Sequence, residues 1–337
     1  MRQDEQNAAS FRQAAQALCP RIADLLLALP VSMQAQVMEI RLRAEQPVSV
    51  WESRGTWFMT PGGPGLSPAH AVCARREDLQ ECFRRLCSHS VYSHEEQIRQ
   101  GFLTLPGGHR AGLAGSAVCR GGAVVGMRDI SGINIRIARQ LPGSADTLFQ
   151  TLGTLEGGLL LAGPPACGKT TLLRDIARQL SAGLRGPVRK VAVVDERGEI
   201  AGAFHGVLGS DLGPCCDVLD GFPKAAGMMQ AVRVLSPEYL LCDELGGMQE
   251  AAALLESVNA GVHVIASLHA GSLSECNTRP QARALLESGA FQTIVLLEQG
   301  RPGRIAQFIK AGDLLAADRG SGAGCLGRNG GRVSAIA

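Results

Sequence analysis

Leu159-Leu160-Leu161-Ala162-Gly163-Pro164-Pro165-Ala166-Cys167-Gly168-Lys169-Thr170-Thr171 decides the fold. An apolar run that reads as a buried parallel strand enters a G-x-x-x-x-G-K-T loop, and Thr171 to Leu180 continues with the apolar spacing of a helix. Strand, glycine loop and helix in that order make a phosphate nest. Gly163 and Gly168 free the backbone to turn its N–H groups toward phosphate oxygens, and the helix adds the positive end of its dipole. Lys169 supplies a point charge for the outer phosphates, and the Thr170 hydroxyl is an oxygen ligand for Mg²⁺. Gly163, Pro164, Pro165, Ala166, Cys167, Gly168, Lys169, Thr170 and Thr171 are therefore the expected contacts to ATP. Ala166 departs from the glycine that many such loops carry, yet it still fits a crowded turn.

Downstream, short β-rich runs ending in polar residues alternate with helical segments: Lys190–Asp195, Tyr239–Asp243, His263–Ser267 and Thr293–Leu297 as strands, Gln249–Asn259 and Ser274–Ser288 as helices. This is the pattern of an α/β fold with a mostly parallel sheet, in which ligands sit beyond the carboxyl ends of the strands. The strand-end residues are thus the site candidates. Asp243, closing Tyr239-Leu240-Leu241-Cys242, would support Mg²⁺ together with Thr170, and Glu244 would act as general base on the attacking water. Asp195-Glu196-Arg197, with Glu199 beyond, offers a second acidic group in which Glu196 is a catalytic candidate, although these acids could equally pair with Arg197. His269 follows a third strand and is placed to sense the γ-phosphate. Arg197 and Arg233 are candidates for reaching a phosphate across a subunit boundary.

The N-terminal half reads as a smaller α+β domain. A helix is expected over Ala8–Leu29 with a break at Cys19-Pro20, then a strand at Glu39–Arg43 continuing past Pro47 into Val50, and a helix over Glu77–Cys87. Ser93-His94-Glu95-Glu96 has the form of a capping box and predicts that Ser93 starts a short helix ending near Gly101. Strands follow at 102–105, 111–115 and 133–137, with Pro106-Gly107-Gly108 as a turn. The expected domains are 1–140 (α+β), 141–317 (phosphate-loop domain) and a disordered Gly-rich tail, 318–337.

The chain has 337 residues, 45% of them hydrophobic, and a formal net charge of +2, which fits a soluble globular protein of two domains and gives no broad electrostatic case for nucleic acid. Eleven cysteines form no C-x-x-C pair and follow no secretory leader, so they read as reduced thiols in a cytosolic protein. No stretch approaches the roughly 20 apolar residues of a bilayer-spanning helix, so any membrane role would be peripheral.

Taken in order, the phosphate loop, acidic box, Asp243-Glu244 strand and His269 follow the plan of a RecA-like secretion ATPase of the P-loop class. The chain closely resembles the stage III sporulation protein AA family, relatives of the type II and type IV secretion ATPases. The resemblance rests on Glu39-Ile40-Arg41-Leu42-Arg43, Gly107-Gly108-His109-Arg110, Asn134-Ile135-Arg136-Ile137-Ala138-Arg139, the loop 163–171, Val194-Asp195-Glu196-Arg197, Asp217-Val218-Leu219-Asp220-Gly221 and Asp243-Glu244. It implies an ATP-hydrolysing, Mg²⁺-using motor assembled as a homo-hexamer. It also implies a place on the mother-cell cytoplasmic face of the membrane, with the membrane proteins of a mother cell–forespore channel as partners. Gly247 departs from the basic residue that related secretion ATPases often carry there. An alternative is a nucleic-acid-binding P-loop regulator, because Gly107-Gly108-His109-Arg110 resembles the clamp loop of KH-like modules; few aromatic residues and a small net charge argue against it. A P-loop kinase of small molecules is weaker, since no segment resembles an acceptor lid.

Overall fold

The computed structural model describes residues 2–321 and 334–335, and the chain divides into two compact units. The first holds the residues up to Gln140 together with Gly202–Ser210; the second holds Leu141–Ala201 and the chain from Asp211 onward. The segment Gly202–Ser210, expected inside the phosphate-loop domain, thus belongs to the first unit.

The first unit is built on an antiparallel sheet in the order Gly63–Gly65, Gly55–Thr60, Ser49–Glu52, Glu39–Arg43, Ala123–Arg136, Arg110–Arg120, Phe102–Thr104. Alternation along Glu39–Arg43 turns Ile40 and Leu42 inward. They share a core with Phe11 from helix Arg2–Gln16, Ile22 and Leu26 from helix Pro20–Leu27, and Leu18 from the turn between the two, all at most 1% exposed. Each such side chain contributes about 1.5–3 kcal/mol by leaving water. The strand expected to run through Pro47 does not do so. Glu45 adopts φ +56°, Gln46–Pro47 pairs with Cys73–Ala74 instead, and Ser49–Glu52 returns antiparallel on Glu39–Arg43. Nor does Ser93 cap a helix: it lies within the turn Tyr92–His94, with its hydroxyl 2.8 Å from that of Ser90, and Glu95–Arg99 starts after His94.

The two short strands expected at 111–115 and 133–137 are arms of one long hairpin, Arg110–Arg120 and Ala123–Arg136, that turns at Gly121-Gly122. Gly115 marks a register shift in it, where a Cβ would lie 2.7 Å from the Arg128 carbonyl. The glycine turn has a packing role. A Cβ on Gly202 would stand 2.7 Å from Gly108 Cα, and one on Gly209 only 2.3 Å from Gly108 N, so this turn lies backbone against backbone with the returning segment. Next to it, His109 is 1% exposed and accepts the Ala138 N–H on Nδ1 at 2.9 Å. Burial lowers its pKa to about 4, leaving it neutral near pH 7.

The second unit is a three-layer α/β fold. Its sheet, expected to be mostly parallel, is mixed. Cys216–Asp220, Val191–Asp195, Tyr239–Cys242, His263–His269, Leu159–Gly163 and Thr293–Leu297 run parallel in that order, then Ile305–Lys310 and Ser334–Ala335 add antiparallel. Four of the parallel strands are buried throughout, which is why their sequences are apolar runs rather than alternations. Helices Lys169–Ser181 and Asp146–Leu152 cover one face; Lys224–Leu235, Met248–Asn259 and two short helices, Leu273–Thr278 and Pro280–Glu287, cover the other. The single helix expected over 274–288 is two, because Pro280 forces Arg279 out of helical geometry, to φ −78°, ψ 120°. A last helix, Ala311–Ser321, includes the first residues of the expected tail, most of which lies outside the described residues.

Candidate functional site

Sheet register assembles the site. Gly163 stands opposite His269, Val194 opposite Cys242, and Cys242 opposite Ala266, so the strand ends carrying the loop, the acidic box, Asp243 and His269 emerge at one edge.

The loop 163–170 takes left-handed geometry at Ala166 (φ +60°) and Gly168 (φ +94°). For alanine this costs about 1–2 kcal/mol, so the departure noted in the sequence is a point of stored strain. Gly168 cannot carry a side chain: its Cβ would lie 2.6 Å from Gly303 N. Lys169 is 6% exposed, and its Nζ donates to the carbonyls of Gly163 and Pro164 at 2.9 Å each. The same Nζ stands 3.0 Å from His269 Nδ1. An ammonium can only donate, so Nδ1 must accept and the imidazole proton belongs on Nε2. That Nε2 is 3.4 Å from Glu244 Oε1. Lys169, His269 and Glu244 therefore form one polar chain.

A second chain begins at Thr170, whose hydroxyl donates to Asp243 Oδ2 at 2.9 Å. Asp243 Oδ1 accepts from the Ser267 hydroxyl at 2.5 Å and from the Glu244 N–H at 2.9 Å. Thr170 and Asp243 are hard oxygen donors held side by side, the chemistry that suits Mg²⁺. Left-handed backbone, inward-turned lysine and helix N-terminus likewise suit a polyphosphate. Pro164, Pro165 and Cys167 complete the loop and Thr171 extends the helix; Cys167 is buried, with Sγ 3.9 Å from Lys169 Nζ.

The acidic box is used differently. Asp195 is 2% exposed and accepts the N–H groups of Glu199, Ile200 and Ala201 at 2.7–3.0 Å. Burial raises its pKa against the pull of those bonds. It holds a turn. Arg174, on the phosphate-loop helix, grips the same turn from the other side by donating to the carbonyls of Ile200 (2.9 Å) and Glu199 (2.5 Å). Glu196 instead faces Lys224, with Oε2 4.0 Å from Nζ, and Arg197 reaches Glu244 Oε2 at 3.3 Å. Arg233 lies exposed in the last turn of Lys224–Leu235, nine residues along that helix from Lys224. Lys224, Ser267 and Arg174 escaped the sequence reading. Ser267 alone left a signal, as a polar residue inside an apolar strand run.

Among the described residues, the ten cysteines are free and no helix is long and apolar enough to cross a membrane.

A family model described as "Sporulation stage III, protein AA" matches residues 10–313. The chain is 38% identical over 315 residues to the stage III sporulation protein AA of Bacillus subtilis (strain 168), covering 92% of this chain and 99% of that protein. It is 30% identical over 171 residues to the protein SEEDLING PLASTID DEVELOPMENT 1 of Arabidopsis thaliana, which covers half of this chain and 24% of that one. Among solved structures, the Legionella pneumophila ATPase DotB superposes with a TM-score of 0.54 at 14% identity over 87% of each chain, a likeness of fold.

Proposed function

The chain belongs to the sporulation stage III, protein AA family, and from that premise we propose that it is a Mg²⁺-dependent ATPase working as the motor of a secretion-like channel between mother cell and forespore. The observation that carries the enzymatic part is the polar chain Lys169–His269–Glu244 beside the Thr170–Asp243 pair, at the strand ends behind a phosphate loop. In this reading the N–H groups of residues 163–170 and Lys169 hold the phosphates of ATP, and Thr170 and Asp243 hold Mg²⁺. The metal supplies charge neutralisation on the phosphate oxygens. Glu244 orients the attacking water and takes its proton. His269 joins Lys169 to Glu244, so a lysine drawn from the loop carbonyls toward a phosphate would disturb the hydrogen bond that steadies the base. Glu196 shares the cleft as a further carboxylate.

The motor reading draws on the family name and on the DotB-like fold. In it the chain works as a homo-hexamer docked peripherally on the cytoplasmic face of the mother-cell membrane, with membrane proteins of the channel as partners. Arg197 and Arg233, both exposed, are the candidates for serving a neighbouring subunit. The nucleic-acid alternative gains nothing: Gly108 is packed against Gly202 and Gly209, and His109 is buried and neutral.

Steady-state ATP hydrolysis tests the enzymatic claim. Lys169→Ala is expected to lower turnover by about 10²-fold or more. Glu244→Gln is expected to keep nucleotide binding and lose about 10²–10⁴-fold in kcat. Parent-like turnover in both variants would overturn it.

A further inference from the structure

We propose that Lys224 is a positioning residue for hydrolysis, acting through the backbone of Glu244 rather than through bound nucleotide. The proposal rests on the reading of Glu244 as general base and adds how that base is held.

Glu244 has φ +41°, a left-handed conformation that a side-chain-bearing residue adopts only under restraint. It persists because both peptide groups of the residue are held. The Glu244 N–H is shared between Asp243 Oδ1 (2.9 Å) and Ser267 Oγ (3.0 Å), and the next N–H, of Leu245, donates to the Ser267 carbonyl at 2.8 Å. The Glu244 carbonyl accepts a single charged bond, from Lys224 Nζ at 2.6 Å. Without that bond the peptide following Glu244 keeps only its Leu245 N–H bond to Ser267, and its carbonyl side can tilt toward ordinary backbone geometry. The Cα–Cβ direction would turn with it, taking the carboxylate out of reach of His269.

The placement of Lys224 is costly on two counts. It is 7% exposed, and lysine is seldom so buried without a partner. It is also the first residue of the helix Lys224–Leu235, so a cation sits at the positive end of the helix dipole. A helix-forming residue without charge would serve the fold better. What the charge obtains is the Glu244 carbonyl and, 4.0 Å away, Glu196 Oε2. Lys224 thereby ties the acidic box to the peptide that aims the base.

The test measures ATP hydrolysis and binding of a fluorescent ATP analogue for the full chain, for Lys224→Met and Lys224→Arg, and for Lys169→Ala and Glu244→Gln as references. Lys224→Met is expected to lower kcat by about 10²-fold while KM and analogue affinity stay within about threefold, the signature of a misplaced base rather than a weakened site. Lys224→Arg should recover part of the loss, and Lys224→Met should cost nothing further in the Glu244→Gln background. A parent-like kcat, an affinity that falls in step with kcat, or a further loss in that background would each overturn the proposal. Should Lys224→Met fail to fold, Lys224→Arg carries the test: its displaced donors are expected to cost about tenfold in kcat at unchanged affinity, and a parent-like kcat overturns the proposal. Parent-like turnover in Lys169→Ala and Glu244→Gln would remove the ATPase reading and this proposal with it. Parent-like Lys224 variants beside inactive references would remove this proposal alone.

Discussion

Two glycine loops, one in each unit, are written in nearly the same grammar and put to opposite uses. Gly107-Gly108-His109 and the loop Gly163 to Thr170 both place glycines at positive φ beside a residue able to carry a positive charge. In the first, the missing side chains make room for the backbone of Gly202 and Gly209, and the histidine is buried and neutral. In the second, Lys169 donates to the loop's own carbonyls and leads through His269 to Glu244. A glycine loop thus announces that something approaches the backbone closely. The charge state and partners of the residue beside it say what.

The contrast can be broken most forcefully at Lys169 against His109. Lys169→Ala is expected to abolish turnover, whereas His109→Gln should leave ATP hydrolysis at the parent level and act on stability alone. The sign follows from its depressed pKa. An unfolded histidine binds a proton near pH 6.5, while the folded one resists it down to about 4, so its contribution is complete above 6.5 and is lost as pH falls toward 4. The shift corresponds to about 3 kcal/mol across that window. Urea unfolding of parent and His109→Gln at pH 7.5 and 4.5 measures it; equal pH slopes would count against a buried neutral imidazole.

A smaller effect is expected at Gly209. It has no positive φ, so Gly209→Ala tests close approach alone, and the added methyl should cost about 1–3 kcal/mol through the forced shift of Gly108. An unchanged melting temperature would mean that the two backbones are farther apart than 2.3 Å to a Cβ implies. The smallest change is in the other loop. Ala166→Gly relieves a φ of +60° and should shift stability by no more than about 1 kcal/mol, the relief being partly offset by the greater freedom of glycine in the unfolded chain. A loss of several kcal/mol would show that the alanine methyl packs rather than strains.

How much could be read from the sequence follows the same line. Glycine loop, buried strands and their polar last residues were legible because parallel strands are apolar throughout and ligands gather at their carboxyl ends. Lys224, Arg174 and Ser267 were hidden because their roles depend on sheet order. Val191–Asp195 lies beside Tyr239–Cys242, which brings Glu196 near Glu244 across 48 residues of sequence, and no local pattern records that neighbour. Asp195 was misleading for a related reason: its place at a strand end is the same as that of Asp243, but its lone pairs are spent on the N–H groups of its own turn. The long hairpin was invisible between 116 and 132 because its glycines interrupt the alternation that marks a strand.

The excursion of Gly202–Ser210 into the first unit also sets an order of events during synthesis. When Gln140 has been added, the first unit still lacks the strand of backbone against which Gly108 packs. Another 70 residues, from 141 to 210, must be joined before that piece exists. At about 5–20 residues per second this is a wait of roughly 4–14 s on the ribosome. The amino-terminal unit is therefore first to begin but cannot finish on its own stretch of chain, and its completion is timed by the translation of the strands that carry the phosphate loop and the acidic box.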